Sequence, residues 1–305
     1  MAVPTRARVP LSNQTNLVHE IYHKTTVQSP RTQTHEPCFA SEYGSEILNY
    51  FLEVERVVYT ERKYMDRQSE ITDRMRKILI DWLIDVTTEF KLHSETFFLA
   101  VDIIDRFLFL YSIPRTKLQL LGVTAVLIAA KHEEVWPPTV NNCVAVTANT
   151  YTSADVIAME FDVVTALRFK FTVPTTYPIA CRFLDSCCME PAVRHATLMF
   201  LESAAHCYPL LQYLPSHIAA GAFLLGTFLI RHSRSQDAIS PRRLWEIEIA
   251  RFAHDIRFED IQPVTEHLLP FTQRLCSASS RLQALRRKYS SRDYDCVAFL
   301  EFLFI

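Results

Sequence analysis

Glycine is almost missing from this chain: four occur in 305 residues, at positions 44, 122, 221 and 226. Neither GxGxxG nor the phosphate-cradling GxxxxGK[ST] loop can be assembled from them, which excludes the common nucleotide-binding enzymes. The kinase signatures HRD and DFG are also absent, so the chain is not itself a protein kinase. Charge of one sign is lacking as well. A formal net charge of -2 gives no bulk pull toward nucleic acid or an anionic membrane. No apolar run reaches the roughly 20 residues that span a bilayer, and Met1 to Pro10 carries arginines but no apolar signal segment. These absences predict a soluble intracellular chain that needs no cofactor. The eight cysteines form no CxxC pair and read as reduced thiols, not disulfides or zinc ligands. The run His132-Glu133-Glu134 has no spaced second histidine, so no metal site is expected.

What is present is apolar. A hydrophobic content of 49% over this length can bury a sizeable core, and two domains are expected. Residues 1–40 are rich in Pro, Thr, Gln, Asn and His without apolar periodicity and read as a disordered tail. From Ser41 onward, apolar segments of roughly 12 to 20 residues alternate with breaks such as Ile113-Pro114, Pro137-Pro138 and Pro174. Strand-like alternation never persists, so the fold class is all-α. The clearest helix runs from Asp73 to about Phe90 with Thr72 as its N-cap, and it is apolar on two faces. Others are predicted over Glu95–Leu110 (started by Ser94), Lys117–Glu134 and Ser153–Leu167. Small residues at Gly122, Ala125, Ala129 and Ala130 place the 117–134 helix at a bundle centre. Five further segments, near 175–188, 191–208, 215–231, 241–252 and 259–276, form a weak internal repeat, and a basic helix with an apolar end closes the chain over 280–305.

The string MRKILIDWLIDVTTEFKLHSETFFLAVDIIDRFL, followed by LQLLGVTAVLIAAKHEEVWPP, resembles the first box of the cyclin family, in its mitotic A- and B-type form. The likeness continues more loosely through RFKFTVPTTYPIACRFL and LPSHIAAGAFLLG to LRRKYSS, and covers roughly Tyr43 to Ala298. It implies two tandem five-helix cyclin-box bundles with a short N-terminal helix around Ser45 to Thr60. On this reading 1–40 is the tail, 41–172 the first box with its preceding helix, 173–279 the second box, and 280–305 a C-terminal helix and tail. The implied activity is that of a non-catalytic subunit, nuclear and cytoplasmic, that binds and activates a cyclin-dependent kinase and recruits substrates in G2/M control. A transcription-associated protein of the same fold is the alternative. A helical enzyme would need a convergent polar constellation, which the sequence does not offer.

The resemblance also assigns residues. Arg76 and Asp105 are implied as a structural ion pair, since a buried guanidinium needs a carboxylate. Lys131 and Glu160, with His132, Glu133 and Glu134, are the implied kinase-binding set, His132 standing where close relatives carry Phe or Tyr. Met75, Ile78, Leu79 and Trp82, flanked by Asp85 and Gln119, match the docking patch for Arg-x-Leu segments of substrates or inhibitors, and Asp85 at the edge of the stripe argues for its partial exposure. On pattern alone that stripe reads as core, and the four charges as one intramolecular network. In the tail, Arg8, Leu11 and Asn16 match the destruction box RxxLxxxxN, which implies capture by the ubiquitin ligase of mitotic exit, with Lys24 as acceptor and Ser29-Pro30 as a phosphorylation site.

Overall fold

The computed structural model describes residues 43–58, 63–187, 189–234, 239–253 and 255–300. The tail positions Arg8, Leu11, Asn16, Lys24 and Ser29 lie outside the described residues. Among those described, the chain is helical with no strand, as the all-α reading expects. The helices are α1 (Gly44–Val58), α2 (Asp73–Glu89), α3 (Ser94–Leu110), α4 (Leu118–Glu133), α5 (Val140–Val146) and α6 (Ser153–Ala166). They continue with α7 (Thr176–Ser186), α8 (Pro191–His206), α9 (Pro215–Arg234), α10 (Pro241–Leu244), α11 (Phe258–Cys276) and α12 (Ala284–Tyr289).

Contacts divide the chain into two compact units. The first holds α2 to α6 and is built around α4, whose residues from Leu118 to Ala130 are all buried. Its small residues let neighbours approach: a Cβ on Gly122 would stand 2.7 Å from Leu79 Cδ1 on α2. Thr72 Oγ1 accepts from the Met75 N–H and so begins α2. With glycine so scarce, α2 ends on Lys91 in the left-handed region (φ 52°), and the Leu92 N–H closes on Thr87 O at 2.9 Å. The helix α5 escapes the sequence reading. Seven residues show too little periodicity, and its signal is local: the Thr139 hydroxyl and the Asn142 side chain cap each other's backbone.

The second unit holds α7 to α12 and also α1. The sequence reading sets α1 ahead of the first box, and by its contacts the helix groups with the second unit. Leu48, Leu52 and Glu55 of α1 are buried, and Glu55 Oε2 accepts the Ser216 N–H, 2.9 Å away, at the start of α9. That N–H is one of the donors a helix start leaves without an intrahelical partner, so the carboxylate pins α1 to this unit. Within 280–305, α12 and the residues around it belong to the same unit: Leu285, Tyr289 and Val297 are buried there, and Lys288 Nζ pairs with buried Glu202 at 2.5 Å. α8 and α9 pack most intimately, because a Cβ on Gly226 would stand 2.5 Å from Thr197 Oγ1 and 2.7 Å from its backbone N.

Candidate functional site

Two ion pairs stand out in the first unit. Arg76 on α2 donates through Nε and Nη2 to Asp105 Oδ1 and Oδ2 on α3, at 2.8 and 2.7 Å. The Tyr64 hydroxyl donates to Asp105 Oδ1 at 2.6 Å, and all three residues are buried. Burial pulls the Arg76 pKa down, but Asp105 and Tyr64 outweigh it and hold the guanidinium above its ordinary value. Burial first, then the Asp105 charge, drives the Tyr64 hydroxyl well above its usual range. Tyr64 is the member that sequence reasoning did not supply.

The second pair is at the surface. Because α4 is buried up to Ala130, its last turn delivers Lys131 and His132 to solvent. Lys131 Nζ donates to Glu160 Oε1 on α6 at 2.6 Å, with Lys131 half exposed. α6 is started by a reciprocal cap in which the Asp155 carboxylate accepts the Thr152 N–H at 2.8 Å. That hydrogen bond and the one from the Thr152 hydroxyl hold the Asp155 carboxyl below its usual range. Val156, Met159 and Val163 turn inward. Ile157 and Phe161, one turn apart and flanking Glu160, are instead 55% and 68% exposed. Val135 and Trp136 follow α4 directly and are 80% and 78% exposed, and Phe169 after α6 is exposed too. Single exposed apolar side chains are ordinary; here five are exposed on or next to the two helices that carry the pair. Neither the resemblance nor the pattern reading named these five residues. A signal existed, since 153–167 is apolar on two sides, as the Asp73 helix is.

The three residues after Lys131 take different parts. His132 is exposed, its ring 6.4 Å from that of Phe171 and Nε2 3.6 Å from Glu133 Oε1. Partial burial raises the Glu133 pKa, with His132 opposing and Glu134 adding. Glu134 works inside the bundle: its Oε1 accepts from the His93 N–H at 2.6 Å and from the Thr96 hydroxyl at 2.7 Å, capping α3.

The docking stripe is exposed in part. Met75, Ile78 and Asp85 are half-buried, but Leu79 and Trp82 are buried, and Gln119 on α4 is nearly so. Leu79 is drawn in by the space over Gly122. Trp82 Nε1 is buried with no hydrogen-bond acceptor among the described residues.

Residues 46–172 match the family pattern described as "Cyclin, N-terminal domain", and residues 172–303 match "Cyclin, C-terminal domain". Cyclin-A1 of Homo sapiens is 36% identical over 266 residues, covering 86% of this chain and 54% of that protein. Cyclin-B1-2 of Arabidopsis thaliana is 36% identical over 261 residues, covering 86% and 56%, and putative cyclin-A3-1 of the same plant is 34% identical over 274 residues, covering 88% and 74%. The chain thus spans little more than half the length of the first two. Among solved structures, a viral cyclin from herpesvirus saimiri superposes with a TM-score of 0.62 at 21% identity, over 74% of this chain and 97% of that one, which shows a shared fold. With both halves matched by the two domain patterns and relatives of A and B type aligned along most of its length, the chain belongs to the cyclin family.

Proposed function

We propose that this chain is a non-catalytic regulatory subunit that binds and activates a cyclin-dependent serine/threonine kinase in G2/M control of the cell cycle. The observation that carries the reading is the Lys131–Glu160 pair on two helices that also carry, or lead directly to, the exposed Ile157, Phe161, Val135, Trp136 and Phe169. Apolar side chains supply the area a partner buries. Once they exclude water, the ammonium and carboxylate are worth more to a partner's backbone groups than they are in solvent. Lys131 donates to carbonyls of the kinase's regulatory helix, Glu160 accepts beside it, and catalysis stays in the kinase, whose active arrangement is stabilised by differential binding.

Substrate recruitment through Arg-x-Leu segments falls to the Met75, Ile78, Leu79, Trp82, Asp85 and Gln119 stripe. The unpartnered Trp82 Nε1 offers a donor to a peptide carbonyl, and Asp85 a carboxylate to the arginine. With Leu79 and Trp82 buried, docking on this stripe requires side chains to move. Turnover through Arg8, Leu11 and Asn16 by the ubiquitin ligase of mitotic exit, and a nuclear and cytoplasmic location, belong to the same proposal. The test is phosphorylation of a short peptide by a purified cyclin-dependent kinase with and without this chain. Activation that Phe161→Glu abolishes, while helical circular dichroism is unchanged, is the expected result. Full activation by that variant removes the surface from the account.

A further inference from the structure

The described part of the chain contains one Ser-Pro pair, Ser240-Pro241, and it is followed by Arg242 and Arg243. Ser240 is exposed and extended, at φ -70° and ψ 151°. This is the conformation that a following proline enforces, because its ring clashes with a helical residue before it. Among the described residues the hydroxyl accepts a long 3.3 Å contact from the Arg243 N–H. Pro241 brings no N–H of its own, and Leu244 is the first buried residue after the serine. Beyond it the helix is irregular, passing into a π turn over Trp245–Ile249 and a 3-10 turn over Ala250–Phe252. Arg242 pairs with Glu259 at 2.9 Å and lies over the Phe258 ring, whereas Arg243 is exposed.

From this geometry we infer that Ser240 is a phosphorylation site for a proline-directed serine/threonine kinase. Such an enzyme holds its peptide extended, and a site that offers no acceptor to the residue after the serine selects proline there, since any other residue would bury an unpaired N–H. A guanidinium at the third position onward suits an acidic subsite. In the reaction, Ser240 Oγ attacks the γ-phosphorus of ATP, the bond to the bridging oxygen breaks, ADP leaves, and the hydroxyl proton passes to the catalytic aspartate of the kinase. The product places about two negative charges beside two exposed arginines. This inference does not rest on the chain's own kinase partnership.

The test uses the full chain, ATP and a cyclin-dependent kinase already saturated with a different cyclin, so that failure of the proposed activating role cannot alter the result. Sites are mapped by mass spectrometry, and a Ser-Pro-Arg-Arg peptide confirms that the enzyme is active. Phosphate at Ser240 is expected, lost in Ser240→Ala, at least tenfold slower in Pro241→Ala and several-fold slower in Arg243→Ala. An unmodified Ser240 in the full chain, with the peptide labelled by the same enzyme, overturns the proposal, whether or not Ser29 is labelled. So does labelling that is indifferent to Pro241→Ala.

Discussion

Arg76–Asp105 and Lys131–Glu160 join the same types of charge within one helical unit, yet their surroundings are opposite. The first is walled in, each side chain 1% exposed, and shares its carboxylate with Tyr64. The second has one contact, its lysine 48% exposed. A buried pair is costly to break because the survivor is a charge without water, whereas an exposed pair contributes about 0 to 1 kcal/mol. The proposed function reads this contrast as scaffold against contact: Asp105 serves the fold, and Lys131 and Glu160, which contribute little to it, serve a partner.

The strongest way to break this comparison is Asp105→Ala, which strands Arg76. We expect a loss of about 3 to 5 kcal/mol in a denaturant titration. A loss below about 1 kcal/mol would remove the contrast between the two pairs. Next comes packing, where the same division between interior and surface applies. Gly226→Ala drives a Cβ into the Thr197 backbone and is expected to cost roughly 1 to 3 kcal/mol. Gly44→Ala, with nothing within 4 Å of the new Cβ, leaves the thermal midpoint unchanged or slightly raised.

Glu55 adds an intermediate case, a buried carboxyl held by a backbone N–H. Burial raises its folded pKa, with the Ser216 hydrogen bonds opposing. A carboxyl raised on folding favours the native state at pH values below its unfolded pKa, and that contribution is lost as pH climbs through the raised folded value. The stability of Glu55→Gln relative to the parent should therefore increase from about pH 4 to about pH 7, as measured by urea titrations at each pH. A constant difference would show that burial does not govern this group. A stabilising effect is expected at the end of α2. Lys91→Gly relieves a left-handed residue and should stabilise by up to about 1 kcal/mol, read from the same titrations.

Most helices were legible because long apolar periodicity and caps coincide, as at Thr72 and along Asp73–Glu89. The short α5 was not, and neither was the π turn after α10, since local hydrogen bonding and not composition shapes both. Among the site residues, Lys131 and Glu160 came from the resemblance, and the structure brings them together. Ile157, Phe161 and Trp136 were missed because periodicity says that a face is apolar without saying whether anything covers it. The destination of Glu134 was hidden for the related reason that its partners, His93 and Thr96, lie about 40 residues away in sequence. For the burial of Leu79 the small residue at position 122 was an available clue, since that glycine leaves the space the leucine fills.

The central claim is that the exposed pair serves a partner and not the fold. It is tested most directly by titrating one cyclin-dependent kinase with the parent chain, Lys131→Ala and Glu160→Ala, and recording the unfolding midpoint of each variant on the same preparation. The account predicts a Kd at least about 30-fold weaker for both variants, equivalent to roughly 2 kcal/mol, with unfolding free energies within about 0.5 kcal/mol of the parent. Parent-like affinity, or a loss of affinity matched by a comparable loss of stability, would contradict it.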